Sequence, residues 1–456
     1  MNRRWLSLPA LGLALLLTAG SCGQQVDGTK APVIVSFTAT PSGISLPQSV
    51  SLAWEVTGAT ALEIDGGVGP ITPLDKGSKS VGVSSSRDFV LTASNAQGTA
   101  TRTVRVTASG PAFSVVETVA GQTGVRGGAD GNGAQATFNY PYAVAVTKAA
   151  GATNNEVIVY IAALNEKIRY AQVGFAGNPV GTAVGNGSSG SVDGDATTAR
   201  VRAPSGIAIG YDSPGYEAYA YWVEDDSCVV RKLTAYPLNG NRRAATVAGS
   251  AYTCGAADGA AGAARFNRPR GVVANTRTGE VFVADTSNFT IRRIYGDSVG
   301  TVAGLAGQQG SIDGSGAAAR FRSPAGIALD RQENLIVADS ETIRKISPGG
   351  VVSTVAGKGG EAGYKDGPAL EARFSGAAGV ALDEVGNIYV VERTNQTIRK
   401  ITPEGVVSTV AGVAGVRGAA DGSLSVATFN NPQGLAYYNK QLFIADTDNQ
   451  TIRRIR

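Results

Sequence analysis

The chain has 456 residues, enough for two or three domains, and its 43% apolar content with 61 glycines is that of a globular, turn-rich protein. Forty lysines and arginines against 36 acids leave a net charge of +4, which is no nucleic-acid footprint at this length unless arginines cluster on one face. There is no histidine, so the commonest general base and the commonest nitrogen ligand for metals are both missing.

The N-terminus reads MNRRWLSLPALGLALLLTAGSC. Arg3 and Arg4 form a positive start, residues 6–17 are an apolar run too short to span a bilayer, and the small trio Ala19-Gly20-Ser21 follows. Residues 1–21 are therefore expected to be a secretory signal peptide. Cys22 comes next and opens a polar linker over residues 22–31. The arrangement resembles a bacterial lipoprotein signal. That resemblance implies lipidation at Cys22, export, and a membrane contact made through the lipid alone at the bacterial cell envelope. Ala19 departs from the leucine common at that place, and ordinary cleavage with secretion is the alternative. Two further cysteines remain, Cys228 and Cys254, and an oxidising envelope would favour a disulfide between them over two separate thiols.

Residues 32–107 contain short alternating or β-branched runs such as VIVSFTAT, SVSLAWEVTG and DFVLTASN, punctuated by Gly, Pro, Asn and Ser. This pattern predicts an antiparallel β-sandwich with Trp54 in its core. It resembles the immunoglobulin-like modules of bacterial envelope proteins, which implies a spacer. No cysteine pair bridges its sheets. Ser109-Gly110-Pro111 is the expected hinge.

From residue 112 to 456 the chain is periodic, and the period decides the fold. The unit is clearest at 318–357, AARFRSPAGIALDRQENLIVADSETIRKISPGGVVSTVAG, with four strand-like runs separated by turns. TVAG-like runs start at 118, 182, 246, 301, 354 and 409, and each repeat carries an Asp-Gly loop, at Asp130, Asp193, Asp258, Asp313, Asp366 and Asp421. Four antiparallel strands per unit, six times over, predict an all-β fold with a six-bladed β-propeller. The chain stops at TDNQTIRRIR without a final TVAG, whereas the TVAG of FSVVETVAG at 113–121 has no IRRI run before it. The first strand should therefore complete the last blade and close the ring, which hides two sheet edges. The runs VFVADTSNFTIRRI, IYVVERTNQTIRKI and LFIADTDNQTIRRI, preceded by PxG at 269–271, 324–326 and 432–434, resemble NHL repeats. The resemblance covers about 113–456 and implies the propeller fold. It leaves activity open, because such propellers bind protein or RNA, sense, or catalyse.

Within each unit an acid ends the second strand, at Glu224, Asp285, Asp339, Glu392 and Asp446, and an arginine sits in the third, at Arg231, Arg292, Arg344, Arg399 and Arg453. Strands buried on both faces would make these acids pair with those arginines. The first unit has Ala162 at the acid position, so Arg169 is expected to lack its partner and becomes a candidate for binding an anion. The Asp-Gly loops offer one carboxylate each, too few for calcium, and read as turns with a left-handed glycine. Tyr219, Tyr221 and Trp222 form the densest aromatic cluster. Alternation places Tyr219 and Tyr221 on one face and Trp222 on the other, as thick packing or as a stacking patch for a sugar or peptide.

These features point to an exported envelope lipoprotein whose propeller is a non-catalytic binding or scaffold module for an unknown protein, peptide or glycan. No cofactor, metal site or catalytic residue is expected, nor any nucleic-acid partner. The alternative is a lactonase-type propeller enzyme.

Overall fold

Strands buried on two faces need unbroken apolar runs, and strands buried on one face need alternation; the chain uses both patterns in different places. The computed structural model describes residues 30–45, 48–65, 67–83, 86–109, 112–149, 156–211, 218–234 and 242–456. The expected signal peptide, Cys22 and nearly all of its linker lie outside the described residues, as do Gly110 and Pro111 of the expected hinge. Among those described, the helices are the 3-10 turns Thr286–Asn288, Gly316–Ala318 and Thr447–Asn449. Among the described residues no helix is long and apolar enough to cross a membrane. The chain divides into two compact units at Thr107–Ala108.

The first unit follows the alternating rule. Val33–Thr40, Gln48–Thr57 and Lys76–Val83 make a three-stranded antiparallel sheet. Arg87–Asn95 pairs with Ala61–Ile64 on one side and Gly98–Ser109 on the other in a second sheet. Val50, Leu52 and Trp54 from the first, and Phe89, Leu91 and Ala93 from the second, are buried at every other position. Trp54 is 2% exposed. Its indole Nε1 donates to the Pro73 carbonyl at 3.0 Å, so the one polar atom of the ring is satisfied. A Cβ at Gly77 would stand 2.5 Å from that ring, which is why the neighbouring strand carries glycine there.

The second unit contains six antiparallel sheets among the described residues. The fourth typifies them. Pro324–Leu329, Leu335–Asp339, Thr342–Ile346 and Val351–Gly357 run up and down, and Gly314–Ser315 adds a short fifth strand. Every residue of Leu335–Asp339 is buried, because both faces meet neighbouring sheets. The first strands of the sheets are Pro141–Lys148, Pro204–Tyr211, Gly271–Ala274, Pro324–Leu329, Ala377–Leu382 and Pro432–Tyr438. Each touches the next, and the last touches the first, so the sheets stand in a closed, propeller-like circuit. In the sixth sheet Val115–Ala120 takes the fourth place beside Thr451–Ile455, with Ile452 opposite Ala120 and Ile455 opposite Val116. The two ends of the unit thus share one sheet. Glu117 fastens them through ion pairs to Arg454 at 2.6 Å and Arg456 at 2.7 Å.

The glycine of PxG sets how closely the first strands approach. A Cβ on Gly271 would lie 1.9 Å from the Ala325 carbonyl oxygen, and one on Gly206 would lie 2.2 Å from that of Arg270. Any side chain there would force adjacent sheets apart.

Candidate functional site

The third-strand arginines are the largest charged groups in the interior, and all six are 0% exposed. Five pair with the acids expected from the sequence, at 2.7–3.3 Å. Each of the six also pairs with the aspartate of its Asp-Gly loop, at 2.5–3.0 Å. A bulge in every third-to-fourth-strand pairing places arginine opposite the first threonine of TVAG, as in Arg292 opposite Thr301. The loop aspartate then bridges both. Asp258 accepts from Arg292 Nη2 at 2.5 Å, from the Thr301 amide at 3.0 Å and from its hydroxyl at 3.1 Å. The Asp-Gly loops are therefore more than turns: the aspartate clasps the fourth strand. Their glycines sit at φ of 121–155°, wider than the left-handed helical value expected but still a region that disfavours a Cβ. Burial pushes the carboxyls of Asp285, Asp339 and Asp446 up to about 6, and the arginine and amide donors pull them back only in part.

Arg169 is corrected by the same geometry. The strand register puts Ala163, not Ala162, in the acid's place, opposite Lys167 as Asp285 stands opposite Thr290. With no acid there, Arg169 is still fully enclosed and binds Asp130 at 2.5 Å and the Ala129 carbonyl at 2.8 Å. With its amide turned to suit its neighbours, Asn165 accepts from Arg169 Nη1 at 3.0 Å, which supplies the missing acceptor. Arg169 is thus a partnered structural cation, not one open to solvent. Trp222 is corrected as well. It is 0% exposed, and its Nε1 donates to Glu224 at 3.1 Å. The Arg231 guanidinium lies 5.2 Å over its ring, the place taken by Phe138, Phe266, Phe321, Phe374 and Phe429 in the other sheets. The second unit has Val201 where those phenylalanines stand, and Trp222 fills the room. Tyr221 is half-buried against the cluster between the second and third sheets, on the face opposite Trp222. Tyr219 lies on the same strand, and its side chain is outside the described set. No surface aromatic patch joins Trp222 to Tyr221.

A different set of residues meets at the centre of the ring. The first strands begin around a cavity of about 260 Å³. The middle residue of the PxG triplet, or of its equivalent, lines it in all six units: Tyr142, Ser205, Arg270, Ala325, Ala378 and Gln433. The turns after the second strands add Asp225, Asp226, Ser340 and Arg393. In the third and sixth units the residue after the strand-ending acid is Thr286 or Thr447. Each donates its hydroxyl to a proline carbonyl of the adjoining first strand at 2.7 Å. Asp225 and Arg393 occupy the same place and turn a charge to the cavity instead.

Asp225 accepts from Arg268 Nε at 2.7 Å and stands 3.4 Å from Arg270 Nε. Asp226 pairs with Arg202 at 3.4 Å. Arg393 forms no ion pair among the described residues. Burial lowers its proton affinity, and the nearby Arg270 charge lowers it further. Burial likewise raises the Tyr142 phenol. Cys228 and Cys254 are bonded, with Cα atoms 5.4 Å apart, and this bridge ties the turn that carries Asp225 and Asp226 to the loop after the fourth strand. The signal for these residues was present in the sequence as departures from the repeat: Arg inside RPRG, Asp-Asp after Glu224, and Arg after Glu392.

Residues 266–294 match the NHL repeat. The chain is 30% identical over 148 residues to Protein SUPPRESSOR OF QUENCHING 1, chloroplastic, of Arabidopsis thaliana, and 31% identical over 151 residues to NHL repeat-containing protein 2 of Homo sapiens. Each match covers 30% of this chain but only 14% and 21% of those proteins. Among solved structures, an auxiliary nutrient binding protein from Bacteroides thetaiotaomicron is similar in fold, with a TM-score of 0.55 at 17% identity, over 94% of this chain and 98% of that one. Together these support an NHL-repeat β-propeller.

Proposed function

We propose that residues 112–456 form a six-bladed propeller that acts as a binding module, with its ligand site at the central cavity. A repeat built for stability alone would carry the same residue in every unit. The observation that carries this reading is that the units differ where they face the cavity, at the middle PxG residue and after the strand-ending acid. The fold likeness to a nutrient-binding protein supports the same reading. Residues 32–107 would be an immunoglobulin-like spacer, and the signal with Cys22 would hold the protein at the bacterial envelope. The partner would be an extracellular or envelope protein, peptide or glycan.

The test is titration calorimetry of the full exported chain against glycan and peptide panels, beside Ala325→Trp, which fills the cavity from a first strand. A ligand bound by the wild type and lost in the variant is the expected result. No ligand sensitive to Ala325→Trp would overturn the reading and favour the alternative, a lactonase-type enzyme. That alternative asks for converging carboxylates. Among the described residues no group of three acidic or cysteine side chains converges, and both cavity aspartates are held by arginine. Loss of labelled-lipid incorporation in Cys22→Ala is the matching test of the anchor.

A further inference from the structure

The charges around the cavity do not balance. Three arginines, Arg268, Arg270 and Arg393, and two aspartates, Asp225 and Asp226, line it, an excess of one cation. Asp225 is shared between Arg268 and Arg270, and Asp226 is turned to Arg202 outside the lining. With Asp226 turned outward, Asp225 is the one carboxylate left for three lining arginines; Arg268 and Arg270 share it, and Arg393, half-buried on a turn held by its own amide to the Gly376 carbonyl at 3.0 Å, has none among the described residues. A guanidinium removed from water without a counter-charge is costly. The six fully buried third-strand arginines of the ring each have a carboxylate. A single carboxylate supplied by a ligand would complete Arg393 in the way Asp258 completes Arg292, and the planar fork of arginine suits two-point binding of that group.

The rest of the lining describes the remainder of such a ligand. Ser205 donates to the Pro269 carbonyl at 2.9 Å, which leaves its oxygen as an acceptor. Ser323, Ser340 and Gln433 add hydroxyl and amide groups, Tyr142 offers an aromatic face, and Ala325 and Ala378 leave room. The volume of about 260 Å³ lies just under the ~300–1,000 Å³ of pockets for drug-sized molecules, so the occupant is the size of one sugar ring.

We infer that the cavity recognises a small hydroxylated carboxylate of sugar-acid type, its carboxylate on Arg393 and its hydroxyls on the serine and glutamine side chains. This rests on the reading of the cavity as a binding site. Arg393 is here a specificity residue, and no bond is made or broken.

The experiment is calorimetry with D-galacturonate, D-glucuronate and D-gluconate, with D-galactose and D-glucose as uncharged counterparts, and with inorganic phosphate. At least one sugar acid is expected to bind, its uncharged counterpart and phosphate at least tenfold more weakly. Arg393→Gln should weaken that sugar acid at least tenfold, with Arg393→Lys intermediate. An unchanged melting temperature in Arg393→Gln would show that the fold survives. Equal affinity for the uncharged sugar or for phosphate would overturn the inference, as would undiminished binding by Arg393→Gln or silence from all three acids. Any of these, alongside another ligand displaced by Ala325→Trp, would leave the binding module standing. No ligand sensitive to Ala325→Trp at all would remove both.

Discussion

Replacing Arg292 with methionine tests whether the third-strand arginines exist to neutralise buried carboxylates. Arg292 donates to Asp285 at 2.8 Å, to Asp258 at 2.5 Å, and to the carbonyls of Ala257 and Arg265 at 2.9 Å. Asp285 is 0% exposed, so Arg292→Met strands its charge in the interior, and removing one partner of a buried pair costs about 3–5 kcal/mol. Arg169→Met is the internal comparison. It also loses two backbone acceptors, but its acid, Asp130, keeps 47% of its side chain exposed and can turn to water. That loss should be about 1–3 kcal/mol, the cost of unsatisfied polar groups alone. Asp285 binds its proton more tightly in the folded chain, where burial raises its pKa from 3.8 to about 6. Its stabilising contribution is therefore fully present below about pH 3.8 and is lost as pH rises through about 6. Arg292 is one of the groups holding that value down, so its removal raises it further. The Arg292→Met defect should accordingly be large at pH 7.5 and shrink by pH 5, while the Arg169→Met defect stays flat. Urea denaturation midpoints of both variants at the two pH values measure this. Equal losses in the two variants, or a defect in Arg292→Met that ignores pH, would refute the reasoning.

Gly271→Ala should destabilise the ring by about 1–3 kcal/mol through overpacking, since its Cβ would stand 1.9 Å from the Ala325 oxygen. Gly300→Ala, with nothing within 4 Å, should be neutral in the same thermal melt. Cys254→Ser opens a crosslink across a sequence separation of 26 and should cost about 3–4 kcal/mol on the chain-entropy model, matched by the wild type in reductant. Deleting residues 112–121 should strip the sixth sheet of its fourth strand and expose the edge of Thr451–Ile455. Concentration-dependent aggregation by light scattering is expected, and a monodisperse, fully stable product would contradict ring closure through that strand. Lowering the pH should loosen the same seam. Partial burial pushes the Glu117 carboxyl up, but bonds from Arg456 and Arg454 hold it net below its ordinary 4.5, so its contribution is present above that value and lost as pH falls through the folded one.

The repeat, the strands and the pairing of the first strand with the last were legible in the sequence. Each depends on short-range pattern: apolar runs at both parities, Asn and Gly turns, and a TVAG at the front with none at the end. The pairing of Asp285 with Arg292 was legible for the same reason, because the two lie on adjacent strands of one hairpin. The Asp-Gly loops were read as turns because their partners are remote. Asp258 meets Arg292 and Thr301, 34 and 43 residues away. Arg169 looked unpartnered because its acceptors, Asp130 and Asn165, lie outside the strand alignment that the repeat defines. Trp222 looked available because alternation reports which face a residue takes, not whether a smaller neighbour such as Val201 has left space for it.

The sequence by itself determined an all-β chain with its second part in repeats whose two ends complete each other, since those properties follow from periodicity and local turn chemistry. Only the tertiary structure decided which of the chain's departures from its own repeat meet in one place. Arg270 and Arg393 are 123 positions apart, and Asp225 lies 45 before Arg270. They occupy places that in other repeats hold Ala, Gln, Ser, Thr, Tyr or Leu. Closing the circuit brings those places to one axis, so single-residue departures that are scattered along the chain become one charged, unbalanced cavity.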